Sequence, residues 1–268
     1  MWIAFQYWPI TIYRYGIAYL FSFVSAYLII LYIVKQNILL HSTQVFLQKN
    51  LDDLVSYSVV GVIIWGRLWH VLIYDPAYYL LHPSEIIAVR KWGMSFVGWF
   101  IWVGITTLLF ARKRFDTLII LDLIVLTLPI GIIVWRYANY LNQELYGRIA
   151  TWYEFLARYN LVTIYQTIDN QLRRNTNFLE LLFEWVWGLI VVWVVYYHQK
   201  QRKPWLITWA FMVWYSIVRF VLENFRDNPM TEYLRWINKT QWWMVVFLTV
   251  WCILIQQSRK ISHKATMQ

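Results

Sequence analysis

Long apolar runs separated by short polar segments dominate the chain. The run from Tyr15 to Val34, YGIAYLFSFVSAYLIILYIV, holds twenty residues without a charge. An α-helix rises about 1.5 Å per residue, so a run of this length matches the roughly 30 Å hydrocarbon thickness of a bilayer. The pattern therefore predicts an all-α integral membrane protein.

Seven such runs predict about seven transmembrane helices in a single polytopic membrane domain over residues 1–268. The predicted spans lie at 15–34, 54–74, 93–111, 117–137, 178–197, 204–223 and 240–256. Two connections, 35–53 and 138–177, are longer than the others. The second is too polar to cross a bilayer, and it predicts a small extracytoplasmic head segment between the fourth and fifth spans.

Basic residues beside three span ends predict the orientation of the chain. Loops 111–116 and 198–204 and the segment 258–264 each hold three Lys or Arg residues. All three fall on one side of the seven-span arrangement, and short loops rich in Lys and Arg face the cytoplasm. We therefore expect the N-terminus outside the cytoplasm and the C-terminus inside it.

The overall charge of the chain supports a lipid partner. Only 14% of the residues are charged, whereas soluble domains carry about 25%. Lys and Arg number 24 against 14 Asp and Glu. In a soluble protein this excess would suggest nucleic acid, but basic residues beside membrane spans favour anionic lipid headgroups, so no nucleic-acid partner is predicted. A single cysteine, Cys252, excludes an intramolecular disulfide and a cysteine-based metal site.

Three arginines, Arg67, Arg136 and Arg219, lie within or at the outer end of the second, fourth and sixth predicted helices. An arginine at the centre of a bilayer costs roughly 2.5–3.5 kcal/mol on insertion scales. One interpretation is that these side chains only snorkel to the interface or pair with carboxylates. The other is that they converge on one anion, and a phosphate is the anion that best fits a planar two-point donor.

Helical spacing places further polar residues beside these arginines. On the sixth helix, one stripe is formed by Tyr215, Arg219, Glu223 and Arg226. Asn139 follows Arg136 by three positions, and His70 follows Arg67 by three. Glu223 serves either to neutralise Arg219 or to act in the site. The chain has no glycine-rich phosphate loop, metal-ligand spacing or Gly-x-Ser-x-Gly turn, so neither a metal nor a cofactor is predicted.

The segment RYANYLNQELYGR at 136–148 resembles the signature of bacterial prolipoprotein diacylglyceryl transferases, typically Arg-x-Gly-Asn-Phe-x-Asn-x-Glu-x-x-Gly-Arg. The identical positions are Arg136, Asn139, Asn142, Glu144, Gly147 and Arg148. Other blocks follow in family order: Tyr15-Gly16, Gly66-Arg67, Gly93-Met94-Ser95-Phe96, Asp122, Glu180, RFVLENFR at 219–226, and Gln241. The chain is identified as a divergent member of this family over nearly its whole length.

The resemblance implies a reaction and a location. These enzymes transfer diacylglyceryl from phosphatidylglycerol to the lipobox cysteine thiol of a preprolipoprotein signal peptide, in the bacterial cytoplasmic (inner) membrane. The resemblance also implies catalytic roles for Arg136, Arg219 and Glu144. The residues expected to bind phospholipid are these two arginines together with Tyr15, Arg67, Asn139, Asn142, Gly147, Glu223 and Arg226.

The chain departs from the family pattern at several positions. Val97 replaces a histidine that is a leading candidate for activating the thiol, and Ala138 and Thr240 replace glycines. If a base is still used, His70 is a candidate because it shares a helix face with Arg67, while Glu144 or Glu223 could accept the proton instead. The alternative to a transferase is a non-catalytic relative that binds phospholipid or lipoprotein precursors in a membrane complex.

Overall fold

The structure is a computed structural model, and it is largely helical. It describes residues 3–7, 10–39, 41–74, 76–86, 96–111, 114–153, 155–159, 161–166, 168–199, 204–228, 233–234 and 236–265. The helices are α1 (Arg14–Lys35), α2 (His41–Trp69), α3 (Pro76–Leu81), α4 (Phe96–Ala111), α5 (Arg114–Leu141), α6 (Phe155–Arg158), α7 (Thr176–Leu179), α8 (Trp187–His198), α9 (Leu206–Leu222) and α10 (Lys239–Ala265). π-Helical segments occur at His70–Tyr74 and Glu180–Val186, and 3-10 turns occur at Pro83–Glu85 and Glu223–Phe225.

Three two-stranded antiparallel hairpins accompany the helices. They pair β1 (Ile3–Tyr7) with β2 (Ile10–Tyr13), β3 (Val162–Ile164) with β4 (Leu172–Arg174), and β5 (Tyr233–Leu234) with β6 (Ile237–Asn238). The apolar pattern did not predict these strands, because each is only two to five residues long.

The chain divides into two compact units. The first consists mainly of residues 23–124, and the second of residues 2–22, 125–201 and 206–268. In the first unit α2 and α4 approach closely at Gly61. A Cβ there would lie 1.1 Å from Nε1 of Trp102, whose indole donates to the carbonyl of Tyr57 at 3.2 Å. Glycine at this position therefore permits the two apolar helices to pack.

The segment 35–53, which the sequence predicted as a connection, is largely helical. Helix α2 begins at His41, thirteen positions before the predicted start of the second span at 54. The reason is an amphipathic pattern: Gln44, Leu47 and Leu51 are buried at helical spacing between exposed polar residues. The Gln44 amide donates to the Val34 carbonyl at 2.6 Å and ties this turn to the end of α1.

In the second unit, α8 and α9 pack through an aromatic and aliphatic seam. Trp185, Val192 and Phe211 are buried there, and the rings of Trp185 and Phe211 lie 5.9 Å apart. Helix α10 is joined to the end of α9 by the Gln241 amide, which donates to the Phe220 carbonyl at 3.0 Å. These contacts hold the polar end of α9 in a defined position.

The head segment, residues 138–177, begins as the last turn of α5. The helix continues to Leu141, four residues past the predicted end of the span at 137, so Arg136 and Asn139 share one continuous helix. A turn, the short helix α6 and the β3–β4 hairpin follow before α7. The described residues of this segment thus form short elements and turns.

Five helices in the described part of the chain are long and apolar enough to cross a membrane. They are Gly16–Lys35, His41–Leu72, Thr117–Leu141, Thr176–His198 and Leu206–Phe225. They coincide with the predicted first, second, fourth, fifth and sixth spans, and the prediction of a helical membrane protein is confirmed. The predicted third and seventh spans fall on α4 and α10, with residues 93–95 outside the described residues, so the count of seven remains a prediction.

Candidate active site

Two predicted arginines meet at one buried carboxylate in the second unit. Arg136 on α5 places Nη1 2.8 Å from Glu180 Oε2, and Arg219 on α9 donates from Nη1 to Glu180 Oε1 at 2.7 Å. The Glu180 side chain is only 2% exposed. Each guanidinium thus contacts a different oxygen of the same carboxylate, so both arginines pair with a carboxylate, one of the two interpretations that the sequence left open, and their convergence on a phosphate stays a prediction.

Three further charged residues complete this group, which we call the arginine–glutamate cluster. Its members are Arg136, Glu180, Glu184, Arg219, Glu223 and Arg226. Arg219 donates to Glu184 Oε1 at 3.1 Å and places Nη2 2.8 Å from Glu223 Oε2. Arg226 places Nη1 3.8 Å from Glu180 Oε1. Glu223 therefore does pair with Arg219, one of the two roles that the sequence left open.

Local helix geometry explains why two carboxylates face the same arginine. Glu180 is the first residue of the π-helical segment Glu180–Val186, and Glu184 lies four positions later within it. The backbone turn of a π-helix is wider than that of an α-helix. Side chains four positions apart share one face of a helix, and both carboxylates contact Arg219 on α9. Sequence reasoning did not include Glu184, although two glutamates four positions apart in the apolar run LELLFEW were a usable signal.

The segment before this π-helical turn holds the signature loop by its backbone. Asn175 caps α7 by accepting from the Phe178 amide at 3.1 Å. Thr176 donates to the Leu145 carbonyl and the Asn177 amide to the Glu144 carbonyl, each at 2.6 Å. Thr176 and Asn177 thus hold the chain that follows α5.

The signature residues after Arg136 form a tight turn. Asn139 and Asn142 are buried, and the Glu144 amide donates to the Asn139 carbonyl at 3.0 Å. Gln143 and Leu145 adopt left-handed backbone conformations, with φ of 57° and 53°. Two such residues so close together reverse the chain at the end of α5, which directs Gly147 back toward the end of α9.

Gly147 lies where two backbone segments come together. Its amide donates to the Arg174 carbonyl at 3.1 Å, and its carbonyl accepts from Arg173 Nη1 at 3.0 Å. A Cβ would lie 2.5 Å from the Arg174 oxygen and 2.9 Å from the Phe225 oxygen. Among the described residues, Gly147 therefore acts by close backbone packing, and direct contact with lipid stays a prediction for it.

Arg173, a residue that the sequence did not single out, organises the head around Gly147. Its guanidinium also donates to Asp227 at 2.7 Å and lies 4.6 Å from the centre of the Tyr146 ring. Hydrogen bonds from Arg173 lower the pKa of Asp169 on the neighbouring turn. This network connects the β3–β4 hairpin to the residues that follow α9.

A cavity of about 400 Å³ adjoins the cluster. Its lining includes Glu223 and Arg226 together with four other polar residues, Tyr146, Asp227, Asn228 and Thr240. The Asn228 amide donates to Glu223 Oε1 at 2.7 Å. The volume falls within the roughly 300–1,000 Å³ typical of small-ligand pockets.

The remaining predicted site residues lie apart from this group in the sequence. Arg67, in the first unit, donates to the carbonyls of Glu85 and Ile86 at 2.6 and 3.0 Å and lies 5.0 Å from the Tyr79 ring centre. His70 begins the π-helical segment after α2, and its ring lies edge-on to Tyr79 at 6.1 Å. The convergence of Arg67 with the other two arginines stays a prediction.

Tyr15 lies in the first turn of α1, but its side chain is not among those that the structure describes. The side chain of Val97 on α4 is likewise outside the described set. Their roles stay as the sequence predicted them.

Comparison with known proteins identifies the family. The sequence model of prolipoprotein diacylglyceryl transferase matches residues 2–256. The phosphatidylglycerol–prolipoprotein diacylglyceryl transferase of Nitrosomonas europaea is 34% identical over 226 residues, covering 84% of this chain and 77% of that protein. That of Wolbachia pipientis from Culex pipiens is 32% identical over 240 residues, covering 89% and 86%. The enzyme of Dechloromonas aromatica is 33% identical over 227 residues, covering 84% and 82%. These matches confirm the resemblance seen in the signature segment, and the chain belongs to the prolipoprotein diacylglyceryl transferase family of membrane enzymes.

Proposed function

We propose that this protein transfers diacylglyceryl from phosphatidylglycerol to the lipobox cysteine thiol of a prolipoprotein. In this reaction a sulfur–carbon bond forms at the diacylglyceryl carbon, and the bond from that carbon to the phosphate oxygen breaks. The oxygen keeps the electron pair, and the thiol proton passes to a base. The protein must therefore bind a phosphodiester and stabilise a more highly charged phosphate as it leaves.

One observation carries this proposal: Arg136 and Arg219 hold the two oxygens of a single buried carboxylate. A phosphate presents its oxygens to guanidinium groups in the same two-point manner. Arg136 also retains donor capacity, because its buried Nε has no hydrogen-bond partner in the part of the chain that the structure describes. Preorganised donors in a site shielded from water are the groups that stabilise developing negative charge most strongly.

We assign the phosphate of the phospholipid to the arginine–glutamate cluster and its headgroup to the adjacent cavity. Arg136 and Arg219 are assigned to the phosphate. Arg226, which lines the cavity and lies at the edge of the cluster, is assigned to the headgroup side. Glu223 positions Arg219 through their 2.8 Å ion pair. A polar cavity of about 400 Å³ provides room for a glycerol headgroup.

The signature turn keeps Arg136 in place. Asn139 and Asn142 are buried in the turn after Arg136, while the backbone of Glu144 is held by Asn139 and Asn177. We assign Asn139, Asn142 and Glu144 to orienting the lipid and Gly147 to closing the turn. Tyr15 and Arg67 are assigned to the phospholipid from the family pattern.

His70 is assigned as the acceptor of the thiol proton. It would take the role of the family histidine that Val97 replaces in this chain. An imidazole titrates near pH 6.5 when unperturbed, and a thiol near 8.5, so a neutral imidazole can assist without being indispensable. This assignment concerns the rate of the attack. It does not affect the role of the arginine–glutamate cluster.

We place the protein in the bacterial cytoplasmic membrane with seven spans, the N-terminus and the head segment outside, and the C-terminus in the cytoplasm. Basic loops beside the spans support this orientation. Single cysteines introduced at exposed Tyr153 and near Lys200 test it with a membrane-impermeant thiol reagent on whole cells, using a Cys252→Ser background. We expect labelling at Tyr153 and not near Lys200. The opposite result would show that the orientation is the reverse of the one proposed.

The transfer itself is tested with purified protein, phosphatidylglycerol and a synthetic lipobox peptide. We expect a mass increase of one diacylglyceryl group on the peptide cysteine, absent for a peptide with serine in its place. Arg136→Gln should abolish the product, while Arg158→Gln, at an exposed arginine of the head, should not. Tight binding of phosphatidylglycerol without product in the wild type would instead support the non-catalytic relative.

A further inference from the structure

The charges of the arginine–glutamate cluster balance before any lipid is bound. Within the described residues of the second unit, three guanidinium groups face three carboxyl groups at 2.7–4.0 Å. A phosphodiester brings one further negative charge. If all three carboxylates stayed ionised, the occupied cluster would hold an unbalanced negative charge in a buried place, which is strongly unfavourable.

The three carboxyl groups are not equally compensated. Glu180 has guanidinium nitrogens at 2.7, 2.8 and 3.8 Å. Glu223 has Arg219 at 2.8 Å and the Asn228 amide at 2.7 Å. Glu184 is fully buried and accepts one bond, from the same Arg219 nitrogen that Glu180 uses, at 3.1 Å. Its other oxygen, Oε2, lies 4.0 Å from Arg136 Nη2, whereas the Oε2 atoms of Glu180 and Glu223 each have a guanidinium nitrogen at 2.8 Å.

The groups that face Glu184 come from three elements. They are Glu180 on its own helix, Arg136 on α5, and Arg219 with Tyr215 on α9. A phosphate held by Arg136 and Arg219 would draw both guanidinium groups away from Glu184 and leave it beside an anionic neighbour. Glu184 is therefore the carboxyl group for which the charged form becomes least favourable when lipid binds.

We propose that Glu184 takes up a proton when the phosphate of a phospholipid binds to the cluster, so that lipid binding and proton uptake are coupled. This inference rests on the proposed role of Arg136 and Arg219 in holding the phosphate. The lipid then binds to a cluster with one net positive charge in place of a neutral one. Glu184 acts here through the two arginines, and it is a positioning residue.

Calorimetry with the purified full chain tests the coupling. Dioctanoyl phosphatidylglycerol is titrated into protein in two buffers whose protonation enthalpies differ, such as Tris and PIPES, across about pH 5.5 to 9. We expect a buffer-dependent binding enthalpy that corresponds to uptake of up to one proton per lipid. The affinity should fall as pH rises, by up to about tenfold per pH unit where uptake is complete.

Variants assign the proton to its residue. Glu184→Gln should bind the lipid with no proton uptake and an affinity independent of pH. Asp169→Asn, which removes a carboxylate of the head outside the cluster, should keep the wild-type uptake. Titration with dioctanoylglycerol, which lacks the phosphate, should cause no proton uptake by the protein.

The outcomes separate this inference from the proposed function. Wild-type binding of phosphatidylglycerol with no proton uptake at any pH in this range overturns the coupling and leaves the phosphate site standing. Uptake that persists unchanged in Glu184→Gln assigns the proton to another group and overturns the role of Glu184. Absence of phosphatidylglycerol binding to the wild type overturns both proposals.

Discussion

Replacing Gly147 by alanine should impair catalysis through the position of the backbone. The new Cβ would lie 2.5 Å from the Arg174 carbonyl oxygen and 2.9 Å from that of Phe225. Ordinary contacts of a Cβ begin near 3.4 Å, so the Arg174 oxygen must recede by about 0.9 Å and the Phe225 oxygen by about 0.5 Å. Phe225 directly precedes Arg226, so the shift reaches the edge of the arginine–glutamate cluster.

The displacement sets the size of the effect. Overpacking a well-packed position costs roughly 1–3 kcal/mol of stability. A misplacement of about 1 Å in a catalytic arrangement can lower the rate by about a hundredfold. We therefore expect kcat/KM to fall by about ten- to a hundredfold, with a smaller proportional loss of folded protein. Both carbonyls are backbone atoms, so no side-chain rotation can relieve the contact.

The assay measures the initial rate of diacylglyceryl transfer to a lipobox peptide, together with thermal unfolding in the same detergent. Gly104→Ala on α4 is the matched control, because a Cβ there would meet no described atom within 4 Å. It should retain wild-type kcat/KM. If Gly147→Ala matches Gly104→Ala in both measurements, the backbone contact at Gly147 does not govern the geometry of the site.

Three other changes have defined outcomes. Arg219→Lys should lower transfer nearly as much as Arg219→Ala, about a hundredfold or more, because one ammonium cannot replace two guanidinium nitrogens that serve three carboxylates; near-wild-type turnover of the lysine variant would contradict this. His70→Gln should lower turnover with little change in lipid binding and with partial recovery at high pH, and normal rates across about pH 6 to 9 would exclude His70 as the base. Arg173 lowers the pKa of Asp169. The pair therefore contributes its full stabilisation of the head at pH values above the ordinary carboxyl pKa near 3.8, and this contribution is lost as the pH falls through the lowered pKa of Asp169. Thermal unfolding between about pH 2 and 6 should show the loss in wild type and not in Asp169→Asn, and identical profiles would refute it.

Hydropathy and arginine placement predicted much of this fold and part of the site. The spans at 117–137, 178–197 and 204–223 coincide with helices because lipid requires every backbone group to be paired within its own segment. Their placement near the ends of apolar helices also singled out Arg136 and Arg219, which both contact Glu180, and the phosphate site that they are expected to form stays a prediction. These are local properties, which sequence patterns report well.

Long-range backbone contacts were not predictable in the same way. Nothing in the local pattern indicates that Arg173 reaches Gly147 and Asp227, which lie 26 and 54 positions away. The folded start of α2 at His41 was missed because its polar residues resembled a loop, although their spacing was helical. Glu184 was missed although it lies four positions after Glu180 in an apolar run, a spacing that places both carboxylates on one helix face.

The π-helical segment Glu180–Val186 also bears on which sequence changes the protein can absorb. An α-helix turns about 100° per residue, and a wider π-helical turn accommodates what amounts to one additional residue. Deleting one residue there would leave the hydropathy of the span unchanged. Because the wider turn absorbs that residue, its removal would let the segment close as an α-helix without rotating α7 relative to α8, so the bond from Asn177 to Glu144 and the packing of Val192 could both survive. The length of this span can thus change by one residue at the π-helical turn while its two ends keep their relative orientation.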